Sequence, residues 1–94
     1  MFTLDIGIKN KGEVSDVFKI CDEIEDLLKL HCVSSGYGFD TNIRDIQFEF
    51  ETEIEAKAAE TKVKEIFKKH KIRVSKTSSY INVKEEKNDS NIFS

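Results

Sequence analysis

A strict alternation of polar and apolar side chains between Asp45 and Glu51 constrains this chain more than any other feature of its sequence. A period of two is typical of a β-strand, in which successive side chains point to opposite faces of the sheet. One face of this strand is apolar, and the other carries Asp45, Gln47, Glu49 and Glu51. We therefore expect the apolar face to lie on the core and the acidic face to meet solvent.

Similar patterns define the neighbouring elements. Residues Phe2–Lys9 alternate in the same way and predict a first strand. Apolar residues that recur every three or four positions predict a first helix, which runs from Val14 towards His31. Its buried stripe includes Leu27 and is widened by Leu30.

A second helix follows the acidic strand. Thr52 and Glu55 have the form of a capping box at its start. Residues 32–39 alternate weakly and contain two glycines, which predicts an irregular strand joined to the acidic strand by a turn at residues 40–42.

The end of the chain is harder to assign. The apolar residues Ile72, Val74, Ile81 and Val83 predict a last strand, which either contains a bulge or folds back as a small hairpin. The segment 85–94 is strongly polar, and we expect it to be a disordered tail. Residues 1–84 then form a single domain.

The predicted order is strand, helix, strand, strand, helix, strand. This is the order of the ferredoxin-like βαββαβ sandwich, an α+β fold in which two helices pack on one face of an antiparallel four-stranded sheet. Right-handed crossovers place the first and third strands in the centre and leave the other face of the sheet open. The acidic side chains of the third strand then lie on that open face.

Charge is unevenly distributed along the chain. Its 94 residues include 18 acids and 15 bases, for a net charge of −3. Residues 1–51 carry 11 acids and 5 bases, whereas residues 52–94 carry 7 acids and 10 bases. No apolar run approaches the roughly 20 residues of a membrane helix, and the two cysteines follow no disulfide or metal pattern. We expect a cytoplasmic protein with reduced thiols that does not enter membranes.

Acidic side chains are the main candidates for a binding surface, on the outer face of the first helix and on the open face of the sheet. The predicted partner-binding residues are Asp22, Glu23, Glu25, Asp26, Asp45, Glu49 and Glu51. Charge complementarity suits such residues to a protein partner with a basic surface. The size and charge resemble those of small inhibitors and immunity proteins of phages and mobile elements. We therefore expect a non-enzymatic interaction module, an adaptor or inhibitor.

A second hypothesis comes from the turn Asn10-Lys11-Gly12 after the first strand. This turn resembles that of ACT domains, regulatory modules of the same fold class that have a glycine between the first strand and the first helix. Lys11 stands where ACT domains usually have a proline. The resemblance implies a small-molecule-sensing domain that binds an amino acid near Asn10, Lys11 and Gly12 and works as a homodimer.

Metal and nucleic-acid chemistry have weaker candidates. Asp5 and an acid of the third strand form a hypothetical site for a divalent ion, as in a metal-dependent nuclease, although no basic phosphate clamp accompanies them. The acidic sheet face repels phosphate and disfavours nucleic acid. The basic stretch Lys62–Lys76 is interpreted either as a solvated helix face or as a nucleic-acid contact. No spacing predicts a zinc site, a catalytic triad or a cofactor.

Overall fold

The computed structural model describes residues 1–10, 12, 14–38, 40–75 and 78–85. Its elements are β1 (Phe2–Lys9), α1 (Val14–Leu28), β2 (Ser34–Gly38), β3 (Ile43–Phe50), α2 (Glu53–Lys69) and β4 (Tyr80–Glu85). Within these residues, the strands form an antiparallel sheet in the order β2-β3-β1-β4, with both helices on one side. The predicted ferredoxin-like α+β fold is therefore confirmed.

The core lies between the sheet and the helices. β1 and β3 pair in the centre of the sheet, with Leu4 opposite Phe48 and Ile6 opposite Ile46, and these four side chains are almost completely buried. The helices cover them with a second layer of buried residues: Val17, Cys21, Ile24, Ala56, Ala59, Val63, Ile66 and Phe67. The period of two in the strands and of three and four in the helices thus produces one shared apolar layer.

α2 begins as the sequence predicts. Thr52 Oγ1 accepts a hydrogen bond from the Glu55 N–H at 3.2 Å, which confirms Thr52 as the N-cap. The Glu55 carboxylate completes a variant of the capping box, because Oε1 accepts a hydrogen bond of 3.0 Å from the Thr52 hydroxyl rather than from the Thr52 backbone N–H. The helix has 17 residues, and lysines and glutamates recur along its outer face. No helix in the described part of the chain is both long and apolar enough to cross a membrane.

A lysine with a left-handed backbone follows the end of each helix, Lys29 with φ of 56° after α1 and Lys71 with φ of 58° after α2. The N–H groups of the next residues, Leu30 and Ile72, each donate to the carbonyl five positions earlier, at 3.2 Å and 2.8 Å. These are the long hydrogen bonds of a Schellman cap. Glycine is the favoured residue at this position, because a side chain is strained when φ is positive.

Two strand boundaries differ from those predicted. β2 begins at Ser34 rather than at residue 32. The Val33 N–H still donates to the Gln47 carbonyl of β3 at 2.7 Å, whereas the Cys32 N–H donates to a carboxylate of α1. Before β4, Val74 forms only an isolated bridge with Ser79. In the described part of this segment, Ile72 and Arg73 belong to no strand. The predicted tail, residues 85–94, lies outside the described residues except for Glu85, the last residue of β4.

Candidate functional site

Most of the predicted partner-binding acids meet at one end of the sandwich, where α1 ends, β3 ends and α2 begins. Two depressions adjoin there, and Leu30 borders both of them. Six carboxylates line the pair: Asp22, Glu25, Asp26, Glu49, Glu51 and Glu55. Among the described residues, Lys29 and Lys62 are the lysines of these linings. We call this region the acidic end.

Four of the six carboxylates at the acidic end have no hydrogen bond or ion pair with another described residue. These four exposed residues are Asp22, Asp26, Glu49 and Glu51. The other two hold local structure, since Glu55 belongs to the capping box of α2 and Glu25 binds a loop. The acidic end therefore combines fixed carboxylates with carboxylates that are free to meet a partner.

Glu25 fixes the loop that carries Leu30. Its Oε2 accepts a hydrogen bond from the Cys32 N–H at 2.9 Å and lies 3.8 Å from His31 Nδ1, while its backbone carbonyl accepts the capping bond from the Leu30 N–H. Burial, and then the charge of Glu25, raise the pKa of the Cys32 thiol, which favours its protonated form. One half-buried side chain thus sets the geometry of the loop.

Apolar side chains are also exposed in this segment. The exposed fractions are 42% for Leu27, 42% for Leu30 and 53% for Val33. The helical pattern assigned Leu27 to the buried stripe, but three residues of helix turn it about 60° away from Ile24. Leu30 lies beyond the end of α1, where the helical period no longer applies. We call these three exposed side chains the apolar patch. The sequence pattern did not predict them, although the doublet Leu27-Leu28 is a signal for the exposure of Leu27. No local spacing indicates the exposure of Leu30.

Glu23, although predicted to bind a partner, lies outside the lining of the acidic end. Its Oε2 is 2.8 Å from Lys69 Nζ, and its Oε1 is 2.9 Å from His70 Nε2. Hydrogen bonds from these two groups lower the pKa of the Glu23 carboxyl. This residue therefore joins α1 to the end of α2.

Asp45 lies on the open face of the sheet, where it accepts a hydrogen bond of 2.5 Å from the hydroxyl of Tyr80. The Tyr80 ring lies directly over Gly7, since a Cβ placed on this glycine would be 2.2 Å from Cε1 of the ring. Burial, and then the bond to Asp45, raise the pKa of Tyr80 well above its usual range. Sequence patterns did not predict this contact, although a glycine inside a strand is a signal that another group approaches its backbone closely.

Asp5, the hypothetical metal ligand, is bound by its neighbours on the same face. Its Oδ1 accepts a hydrogen bond from Gln47 Nε2 at 2.8 Å, and its Oδ2 lies 3.2 Å from Lys84 Nζ. The residue opposite Asp5 on β3 is Gln47 rather than an acid. No group of three or more histidine, cysteine, aspartate or glutamate residues in the described ranges is placed to hold a metal ion.

The turn that resembles the ACT-domain turn lies at the end of the sandwich opposite the acidic end. Asn10 Oδ1 accepts a hydrogen bond from the Gly12 N–H at 3.0 Å, and Asn10 Nδ2 donates to Tyr37 Oη at 3.1 Å. Lys11 lies outside the described residues. The basic stretch Lys62–Lys76 is divided between the two ends, since Lys62 lines the acidic end whereas Lys71 lines a groove beside this turn.

In comparisons with known proteins, no protein-family model and no curated protein matches the chain. Its function is therefore inferred from its own geometry and charge.

Proposed function

We propose that this protein is a small, non-enzymatic interaction module of the cytoplasm, an adaptor or inhibitor, that docks on a basic protein surface through its acidic end. The observation that carries the proposal is the position of Leu30. This half-exposed leucine borders two adjoining depressions that six carboxylates line. An apolar centre within a charged rim is the arrangement that protein interfaces use.

The apolar patch and the charges have complementary roles in this proposal. Single exposed apolar residues are common on protein surfaces, but Leu27, Leu30 and Val33 are exposed within one short segment. Burying an apolar anchor supplies affinity, whereas the surrounding carboxylates steer the approach of a basic partner and exclude acidic ones. The expected partner surface therefore has lysines or arginines around an apolar side chain or pocket.

The acidic end is also held in place before any partner binds. Glu25 binds the loop after α1, and Thr52 with Glu55 caps the start of α2. Leu30 is further fixed by its hydrogen bond to the Glu25 carbonyl at 3.2 Å. Because little additional ordering is needed, more of the contact energy appears as affinity.

A charge-reversal experiment tests the proposal. Partners are captured from the native host, purified, and titrated with the wild-type protein and with the double variant Asp22→Lys, Asp26→Lys across a range of salt concentrations. We expect affinity to fall by about tenfold or more and to lose much of its salt dependence. The matched control is Asp40→Lys, Glu65→Lys, which reverses two exposed acids outside the acidic end and changes the net charge equally.

A second variant separates the apolar anchor from the charges. Leu30→Ala leaves every carboxylate in place, so we expect weaker binding by about tenfold through faster dissociation, with an unchanged salt dependence. Thermal unfolding of each variant shows whether the fold is retained. If both the charge reversal and Leu30→Ala bind like the wild type, docking through the acidic end is wrong.

A further inference from the structure

A groove of about 210 Å³ lies at the end of the sandwich opposite the acidic end. Its lining comes from the end of β1, the first half of α1 and the segment that follows α2. We call it the distal groove. It lies below the roughly 300 Å³ at which pockets for drug-sized ligands begin, so its volume suits a small molecule.

The inner wall of the distal groove is apolar. Ile8 and Val17 are almost completely buried, and Ile20 and Ile72 are half-buried and pack against the core. Ile72 reaches this wall because the left-handed cap at the end of α2 reverses the direction of the chain. A ligand seated here would therefore cover the part of Ile20 and Ile72 that is otherwise in contact with water.

Positive charge surrounds this apolar wall. Lys71 and Arg73 line the groove, are exposed, and form no ion pair with another described residue. The other basic side chains of the described lining already have partners: Lys9 Nζ donates to the Thr41 carbonyl at 2.6 Å, and the His70 ring is paired with a glutamate of α1. Among the described residues of the lining, Lys71 and Arg73 are thus the two cations available to a ligand.

A single acid lines the groove among the described residues, and it is Asp16 of α1. Its carboxylate repels negative charge and therefore favours a singly charged ligand over a doubly charged one. The guanidinium of Arg73 and the ammonium of Lys71 are suited to bind a carboxylate through charge-assisted hydrogen bonds.

We propose that the distal groove is a binding site for a small carboxylate with an aliphatic body. The carboxylate is bound by Lys71 and Arg73, and the aliphatic part lies on the half-buried side chains of Ile20 and Ile72. The site is independent of docking at the acidic end, because the two regions share no lining residue.

Isocaproate is a suitable probe, since it joins one carboxylate to a short branched aliphatic chain. Calorimetric titration of the protein with isocaproate is expected to show saturable binding. Acetate, which lacks the aliphatic body, is expected to bind about tenfold more weakly or worse. Isocaproamide has the same aliphatic chain without the charge, and inorganic phosphate has charge without an aliphatic chain. Both are expected to bind at least about tenfold more weakly than isocaproate.

Two substitutions that should change the affinity for isocaproate in opposite directions make the test specific. Lys71→Gly is expected to weaken isocaproate about tenfold while raising thermal stability, because glycine relieves the strained backbone at this position. Asp16→Asn is expected to tighten isocaproate binding about twofold or more by removing repulsion. Lys68→Gln, which removes an exposed lysine outside the groove, is the matched control and should bind like the wild type.

Absence of saturable isocaproate binding overturns the proposal. So does equal binding of isocaproate and isocaproamide, because the cations would then have no role. Unchanged affinity in Lys71→Gly, whose gain in stability shows that it is folded, also overturns it.

Discussion

The two ends of this sandwich share a backbone design and differ in charge. At each end a helix is followed by a lysine in the left-handed conformation, Lys29 at the acidic end and Lys71 at the distal groove. Six carboxylates line the acidic end, whereas the distal groove is lined by more cations than acids among the described residues. A fold with one core can therefore present surfaces of opposite charge without any change in its topology.

The separation of charge between the two ends does not follow directly from the uneven charge of the two halves of the sequence. Glu55 belongs to the basic second half of the sequence but lines the acidic end, and Lys9 belongs to the acidic first half but lines the distal groove. The antiparallel path of the chain brings the beginning of α2 beside the end of α1. The charge of each end of the molecule therefore depends on which helix and strand ends meet there, and not on which half of the sequence supplies them.

The largest expected change in the free energy of unfolding comes from substituting Glu25, in contrast to the unpartnered acids beside it. Glu25→Ala removes the acceptor for the Cys32 N–H, and we expect the free energy of unfolding to fall by about 2 kcal/mol. Asp22→Ala, on the same helix but without a described partner, should change it by less than about 0.5 kcal/mol. Urea unfolding measures both. Equal effects would show that Glu25 does not hold the loop.

The two helix caps provide a matched pair of substitutions. Lys29→Gly and Lys71→Gly should each stabilise the fold by up to about 1 kcal/mol by relieving positive-φ strain. We expect the larger gain for Lys71→Gly, because Lys29 lies among acids that it partly neutralises. Urea unfolding at low and high salt measures the difference, which should narrow as salt screens the charges. A difference that does not respond to salt would contradict this electrostatic explanation.

The smallest expected change in unfolding free energy comes from substituting Glu23, whose bonds to Lys69 and His70 join the two helices. Because the pKa of Glu23 is lowered below its ordinary value of 4.5 in the folded protein, its stabilisation is present above that pH and is lost as pH falls through the lowered value. The difference in unfolding free energy between wild type and Glu23→Gln should therefore be largest at neutral pH and vanish in acid. A difference that persists unchanged in acid would rule out this ionic contribution.

The sequence predicts the fold well because the alternation in the strands and the spacing of three and four in the helices continue over long segments without interruption. The alternation from Asp45 to Glu51 places β3 in the centre of the sheet, and the capping box at Thr52 marks the start of α2. These features depend on local spacing. They identify which residues face the core without any knowledge of the neighbouring elements.

The candidate sites depend on where elements end and which ends meet, and local spacing does not show this. Lys29 gives no signal of a helix end, because glycine or asparagine is the usual residue at a left-handed cap. The exposure of Leu30 therefore could not be predicted. The bond between Asp45 and Tyr80 likewise depends on β3 and β4 both pairing with β1.

The central proposal is that the two ends of the molecule bind ligands of opposite charge. Two titrations of the same ¹⁵N-labelled protein test this, one with a peptide of alternating lysine and leucine and one with isocaproate. The peptide should shift the amide signals of residues 27–33 and 49–51, whereas isocaproate should shift those of Lys9, Gly12 and residues 71–73. Shifts that coincide for the two probes, or that are spread evenly over the chain, would contradict the account.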